Sequence, residues 1–274
     1  MRQPIAILCA GLFLWLVGYT APAVAADPSP AAAAYPQGEL VQLEVDGRHA
    51  YLVKPTGKVD PQKRWIIVAP FWLAFNDKGQ IEHRMYVDRF LAAGFHVAGV
   101  DVSTSCGSPR GAEVYHQLYE RLTSEFGLNP KGRLLGQSNG GLISYAWAFR
   151  HPQCVDRIGC IYPATDFRSW PGIEKVLVLP EPAMSYSLTL DELTRRTAEL
   201  NPIDNLAPLA KAGVKIFHIH GDMDGLVPAD VNSHELVARY AKLGGDARVE
   251  VLPGLGHGGK EFYASESLAK FLTE

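Results

Sequence analysis

Several things are scarce in this chain, and each scarcity closes off a class of function. Cysteine occurs four times in 274 residues, at 9, 106, 154 and 160, with no spacing that resembles a metal site. The 26 Lys+Arg and 29 Asp+Glu are mixed along the chain without a basic run. No nucleic-acid partner is therefore expected. There is no internal repeat. The prominent apolar run near the start, Ile5–Val17, is too short for a permanent span and has no stop-transfer charges behind it, so no permanent membrane anchor is expected.

That run belongs instead to an export pattern. Arg2 supplies a positive start, Ile5–Val17 the apolar stretch, and Ala23-Val24-Ala25 the small-x-small cleavage site. Residues 1–25 are read as a signal peptide, with an uncleaved anchor as the alternative, and the compartment as periplasmic or extracellular. Residues 26–37, rich in Ala and Pro, carry too little apolar surface to fold alone and read as a linker. An oxidising compartment admits a disulfide among Cys106, Cys154 and Cys160, with one thiol left over and the pairing open.

From residue 38 onward, strand-like and helix-like stretches alternate. A hairpin over Gly38–Val53 turns at Asp46-Gly47. Strand Ile66–Ala69, helix Glu82–Ala93, strand His96–Val102 and helix Gly111–Phe126 follow. Later come strand Val155–Tyr162, strand 214–220, helix 229–243, strand 247–252 and helix 260–272. The alternation predicts an α/β fold: a mostly parallel, twisted sheet of about eight strands with helices on both faces. A core of about 240 residues is ample for one such domain, 38–274.

The most informative segment is Gly136-Gln137-Ser138-Asn139-Gly140, between the strand end Arg133-Leu134-Leu135 and the apolar helix Gly141–Phe149. Gly-x-Ser-x-Gly at a strand-to-helix corner is a nucleophile elbow: the serine takes a strained conformation and the glycines let strand and helix approach. The bland alternative is that Ser138 simply caps the helix. A serine hydroxyl needs a base and an orienting acid, which in this arrangement follow in the order Asp or Glu, then His. Strand 214–220 breaks into Gly221-Asp222-Met223-Asp224, and strand 247–252 breaks into the glycine-flanked His257. Both turns, like Ser138, fall at the carboxyl edge of a parallel sheet. Asp222 and Asp166 stand as rival acids. His218 and His220 lie within a strand and read as packed or hydrogen-bonded. His83 reads as a solvent-facing or helix-terminus residue, with a place lining the oxyanion loop as the alternative.

On Gly136–Gly141, the run His220-Gly-Asp-Met-Asp-Gly-Leu-Val-Pro228 and His257, the chain resembles the α/β-hydrolase superfamily, in its dienelactone-hydrolase-like and prolyl-oligopeptidase-like branches, over roughly 38–274. The resemblance implies Ser138 as nucleophile, His257 as base and Asp224 as acid, the later aspartate of the His-Gly-x-x-Asp-x-x-Val-Pro pattern. The amide of Asn139 would form one half of the oxyanion hole. The oxyanion loop departs from relatives that carry His-Gly there; here Phe71 or Trp72 supplies the other amide. No cofactor or metal is implied.

A short insert of about 166–212, after the sixth strand, interrupts the alternation. Phe71, Trp72, Phe75, Phe167, Trp170 and Tyr186 are candidates to wall an aromatic cleft there, against the alternative that half of them pack the insert onto the sheet. The shortness of the insert favours an open cleft over a deep lipase lid. The expected activity is hydrolysis of a carboxylic ester, small or carbohydrate-linked. A serine exopeptidase is the second reading, and a hydrolase-fold protein that only binds ligand is the third.

Overall fold

The computed structural model describes residues 37–71, 83–179 and 181–274. The proposed leader, nearly all of the linker, Trp72 and Phe75 lie outside these residues. Eight strands form one sheet: β1 Gly38–Val45, β2 Arg48–Pro55, β3 Trp65–Ala69, β4 His96–Val100, β5 Gly132–Gln137, β6 Val155–Ile161, β7 Lys215–Gly221 and β8 Ala247–Leu252. Their spatial order is β1-β2-β4-β3-β5-β6-β7-β8. The β1–β2 and β2–β4 pairs are antiparallel and the remaining pairs parallel.

The helices are α1 Arg84–Ala92, α2 Pro109–Ser124, α3 Asn139–Ala148, α4 Leu190–Arg195, α5 Thr197–Leu200, α6 Ala207–Lys211, α7 Glu235–Lys242 and α8 Glu266–Thr273. They cover both faces of the sheet, and the period-2 alternation of the strands divides the core accordingly. Trp65, Ile67 and Ala69 of β3 share one core layer with Val114, Leu118 and Leu122 of α2 and, further along the sheet, Leu236 and Tyr240 of α7. Ile66 and Val68 point the other way, onto Tyr86, Phe90 and Leu91 of α1 and Leu268 and Leu272 of α8. Helix α3 is buried from Gly140 to Ala148 because the sheet lies on one side and the insert on the other. Leu142 joins Phe167, Val176, Tyr186, Leu193 and Leu200 in a third cluster under the insert.

Several boundaries differ from the sequence reading, and the larger differences have local reasons. Helix α2 starts at Pro109, two residues early, because Ser108 Oγ accepts from Gly111 N–H at 3.0 Å and Pro109 fits the first turn. The last helix starts only at Glu266, where Ser265 caps it. The stretch before it begins with Gly258 and Gly259 at φ 145° and 131°, outside the helical region. Helix 229–243 opens as a π turn over Asp230–His234. In the insert, α4 and α5 meet at Arg196 without running on as one helix. Cys106, Cys154 and Cys160 are each buried and unpaired. Among the described residues no helix is long and apolar enough to cross a membrane.

One close approach holds the elbow in place. A Cβ on Gly140 would lie 2.1 Å from Ala69 O and 2.7 Å from Pro70 N, so the start of α3 fits against the end of β3 only without a side chain. Gly140→Ala is expected to lower stability by about 1–3 kcal/mol through overpacking. Urea unfolding monitored by tryptophan fluorescence reads this, and an unchanged midpoint would show that the contact yields freely.

Candidate active site

Three loops meet at the carboxyl edge. The first is the corner between β5 and α3, where Ser138 has φ 52° and ψ −120°. That conformation is sterically poor for a residue with a Cβ, and three backbone bonds impose it. Ser138 N–H donates to Ile161 O at 3.0 Å, and Ser138 O accepts from Gly141 N–H and Ala164 N–H, both at 2.9 Å. The side chain makes no capping bond to the helix. Its Oγ turns instead to His257, 2.8 Å from Nε2.

The second loop follows β7. Asp224 is 6% exposed, and its Oδ1 accepts from Leu226 N–H at 3.0 Å and Val227 N–H at 2.9 Å. Oδ2 lies 2.7 Å from His257 Nδ1 and 3.2 Å from His220 Nε2. Since a carboxylate only accepts, His257 carries its proton on Nδ1 and offers a lone pair at Nε2 to the Ser138 hydroxyl. The third loop, after β8, is docked on the second: Met223 N–H donates to Leu255 O at 2.9 Å and Gly254 N–H to Asp222 Oδ1 at 2.6 Å. Ser138, His257 and Asp224 thus stand in one hydrogen-bonded line. Asp222 links the two loops, and Asp166 binds Arg168 and Asn201; neither is hydrogen-bonded to His257.

Asn139 and Phe71, the described residues proposed to supply oxyanion amides, flank this line. Asn139 stands at the first turn of α3, where its amide has no intrahelical acceptor, and its side chain donates to Ser103 O at 2.6 Å. Phe71 follows β3 beside the elbow and packs edge-on against Tyr51, ring centroids 5.3 Å apart. Two of the proposed cleft walls need correction. Phe167 is fully buried, Tyr186 is 5% exposed, and their rings meet at 5.7 Å inside the insert's core, with Tyr186 O–H donating to Cys106 O. They are not cleft walls because their apolar area is spent holding the insert on α3. Trp170 is half-buried against the same cluster.

Sequence reasoning missed a second group at the site. The Tyr162 ring lies 4.3 Å from the His257 ring, tilted by 51°. Its hydroxyl is 2.8 Å from that of Tyr263, and Gln137 Nε2 donates to both phenols. His83 packs edge-on against Tyr263 at 4.8 Å and is buried, not solvent-facing. Gln137 lies inside the elbow pentapeptide and Tyr162 at a strand end, so both were within reach of the motif. Nothing in the sequence marked Tyr263. Among the described residues, no three His, Cys, Asp or Glu side chains are grouped so as to hold a metal ion.

The profile of the prolyl oligopeptidase family matches residues 122–274, which include the elbow, the acid turn and the histidine loop. The chain belongs to this family. It is a serine hydrolase. No curated protein sequence matches it significantly. Among solved structures it is similar to a puromycin-hydrolyzing peptidase of Mycobacterium tuberculosis, with 17% identity and TM-score 0.63 over 88% of this chain and 38% of that one. A putative dipeptidyl aminopeptidase IV from Bacteroides ovatus gives 18% identity and TM-score 0.62 over 86% and 35%. A truncated carbohydrate esterase from gut microbiota gives 19% and 0.62 over 89% and 96%. These are likenesses of fold, and the chain spans little more than a third of either peptidase.

Burial pushes the His83 imidazole down to about 4, against a smaller opposing effect of its hydrogen bond with Gln137. The unfolded chain, at about 6.5, takes up this proton first, so the stability due to neutral His83 is complete above that pH. It is lost as pH falls from about 6.5 to about 4, by a total on the order of 3 kcal/mol. His83→Gln is expected to flatten the pH dependence of the unfolding free energy in this window by that amount. An unchanged slope in denaturant titrations at pH 4 to 7 would show that His83 titrates normally.

Proposed function

We propose that this serine hydrolase is exported and cleaves a carboxylic ester, through Ser138 as nucleophile, His257 as general base and Asp224 as orienting acid. The observation that carries the catalytic assignment is the unbroken line Ser138 Oγ, His257 Nε2, His257 Nδ1, Asp224 Oδ2, with gaps of 2.8 and 2.7 Å. As Ser138 Oγ attacks the carbonyl carbon, His257 Nε2 takes its proton, and Asp224 stabilises the resulting imidazolium. The amides of Asn139 and Phe71 or Trp72 receive the charge that develops on the carbonyl oxygen. Collapse of the tetrahedral adduct breaks the ester C–O bond. His257 protonates the departing alkoxide, and water then hydrolyses the acyl-enzyme by the same route.

The ester reading is supported by the gut carbohydrate esterase, which this chain matches over 96% of its length, whereas the peptidases are matched over 35–38%. A carbohydrate-linked or other compact ester fits the short insert. Peptide hydrolysis is the second reading, favoured by the family to which the chain belongs. Screening against short p-nitrophenyl esters and aminoacyl anilides separates the two: turnover of anilides alone would replace the ester reading. With the better substrate, Ser138→Ala is expected to lower kcat by a factor on the order of 10⁴ to 10⁶ and to abolish fluorophosphonate labelling. Asp224→Asn is expected to lower kcat on the order of 10⁴-fold by favouring the wrong imidazole tautomer, and Asp166→Asn far less. Labelling that survives in folded Ser138→Ala would refute the nucleophile assignment.

Export rests on Arg2, Ile5–Val17 and Ala23-Val24-Ala25. The protein recovered from its host is expected to begin near Ala26 or Asp27 by mass spectrometry. A retained Met1 in the membrane fraction would make the segment an anchor.

A further inference from the structure

Behind Asp224 runs a row of four fully buried polar side chains: His220, Ser233, His218 and Tyr145. His220 Nε2 lies 2.8 Å from Val227 O as well as 3.2 Å from Asp224 Oδ2. Its Nδ1 is 2.7 Å from Ser233 Oγ, which is also 2.9 Å from His218 Nδ1. His218 Nε2 is 2.8 Å from the Tyr145 hydroxyl. The two histidines are two apart on β7 and so share a face. Ser233 comes from the π turn before α7, and Tyr145 from α3.

One arrangement of protons satisfies every member. Val227 O and Asp224 Oδ2 are acceptors only, so His220 carries its proton on Nε2. Burial keeps both rings neutral at pH 7, with His218 pushed down to about 3 and His220 also lowered. His220 Nδ1 is then an acceptor and takes the Ser233 O–H. Ser233 Oγ accepts from His218 Nδ1–H, and His218 Nε2 accepts from Tyr145 O–H. Every donor points toward Asp224. The reverse order would set the His220 Nε2 lone pair against two acceptor oxygens.

We propose that His220 is a positioning residue for the acid, and that Ser233, His218 and Tyr145 fix the tautomer that lets it act. This rests on the reading of Asp224 as the acid. The amides of Leu226 and Val227 hold Oδ1, and His220 Nε2–H holds Oδ2 in line with His257. The neutral tautomers are a direct readout: ¹⁵N spectra of the full-length protein at pH 7 are expected to show His220 as Nε2–H and His218 as Nδ1–H. A His220 protonated on Nδ1, alone or in addition, overturns the proposal.

Kinetics supply the second arm. His220→Phe removes the donor and is expected to lower kcat by about ten- to a hundredfold with KM little changed, the scale on which one hydrogen bond to a charged group acts. His220→Gln keeps a donor near the Nε2 position and is expected to restore most of the loss. Should His220→Phe fail to fold, Ser233→Ala decides. It leaves His220 in place, frees its tautomer, and is expected to lower kcat and mix the ¹⁵N signals. Full kcat in whichever of these variants folds overturns the proposal. If Ser138→Ala and Asp224→Asn are inactive in that same case, the triad reading stands; if they too are active, the triad reading has failed.

Discussion

The Asp224 carboxylate sets the terms for the whole carboxyl edge of the sheet. At 6% exposure it has lost its water, and burying a carboxylate is costly unless hydrogen bonds replace that water. Two amides of its own turn, the His220 imidazole from β7 and the His257 imidazole from the loop after β8 supply the replacement. Meeting this requirement shapes both loops. The chain after β7 must curl back so that Leu226 and Val227 reach Oδ1. The loop after β8 must come close enough for His257 to reach Oδ2. A Cβ on Gly221 would stand 2.1 Å from Leu255 O, so the two loops dock only because that residue has none.

Parallel pairing does the remaining positioning. Gly136 of β5 pairs with Cys160 of β6, Cys160 with His218 of β7, and His218 with Val249 of β8. Strands in parallel register emerge at one edge, where the elbow, the acid turn and the histidine loop all start within a few residues of that line. The β5 and β7 ladders are separated by β6, whose end supplies Ile161 O to Ser138 N–H and Tyr162 to the face of His257. The middle strand contributes no member of the triad, yet both neighbours are referenced to it.

What the sequence displays and what it hides follow from the range of the forces involved. Strand periodicity and glycine-flanked turns are local, so the eight strands, the corner at Ser138 and the turns bearing Asp224 and His257 are legible residue by residue. Helix ends depend on single caps: α2 starts at Pro109, before the Gly111 read from the sequence, because Ser108 caps it, while the break at Arg196 has no such marker. Aromatic residues carry no local sign of which way they face. Phe167 and Tyr186 therefore look the same as cleft walls in the sequence, and only the packing of the insert on α3 turns them inward. Tyr263 and Ser233 act through partners more than ten residues away and are invisible to any short pattern.

The row from Tyr145 to His220 is hard to account for by stability alone. Removing one member of a buried polar row leaves its neighbour unsatisfied at a cost of about 1–3 kcal/mol, but replacing all of them with apolar groups of similar shape is often close to neutral. A hydrocarbon core at this place would fold as well. It would not dictate which nitrogen of an imidazole bears the proton, and a row of hydrogen bonds does. The two ends of the row make the same point. Tyr145 belongs to α3, the helix that begins at the nucleophile corner, and His220 belongs to β7, the strand that leads to the acid. The row thus ties the helix that begins at Ser138 to the strand that leads to Asp224, underneath the site and out of reach of solvent. The position of Asp224 relative to Ser138 is then set by packed, directional contacts in the interior as well as by the loops above.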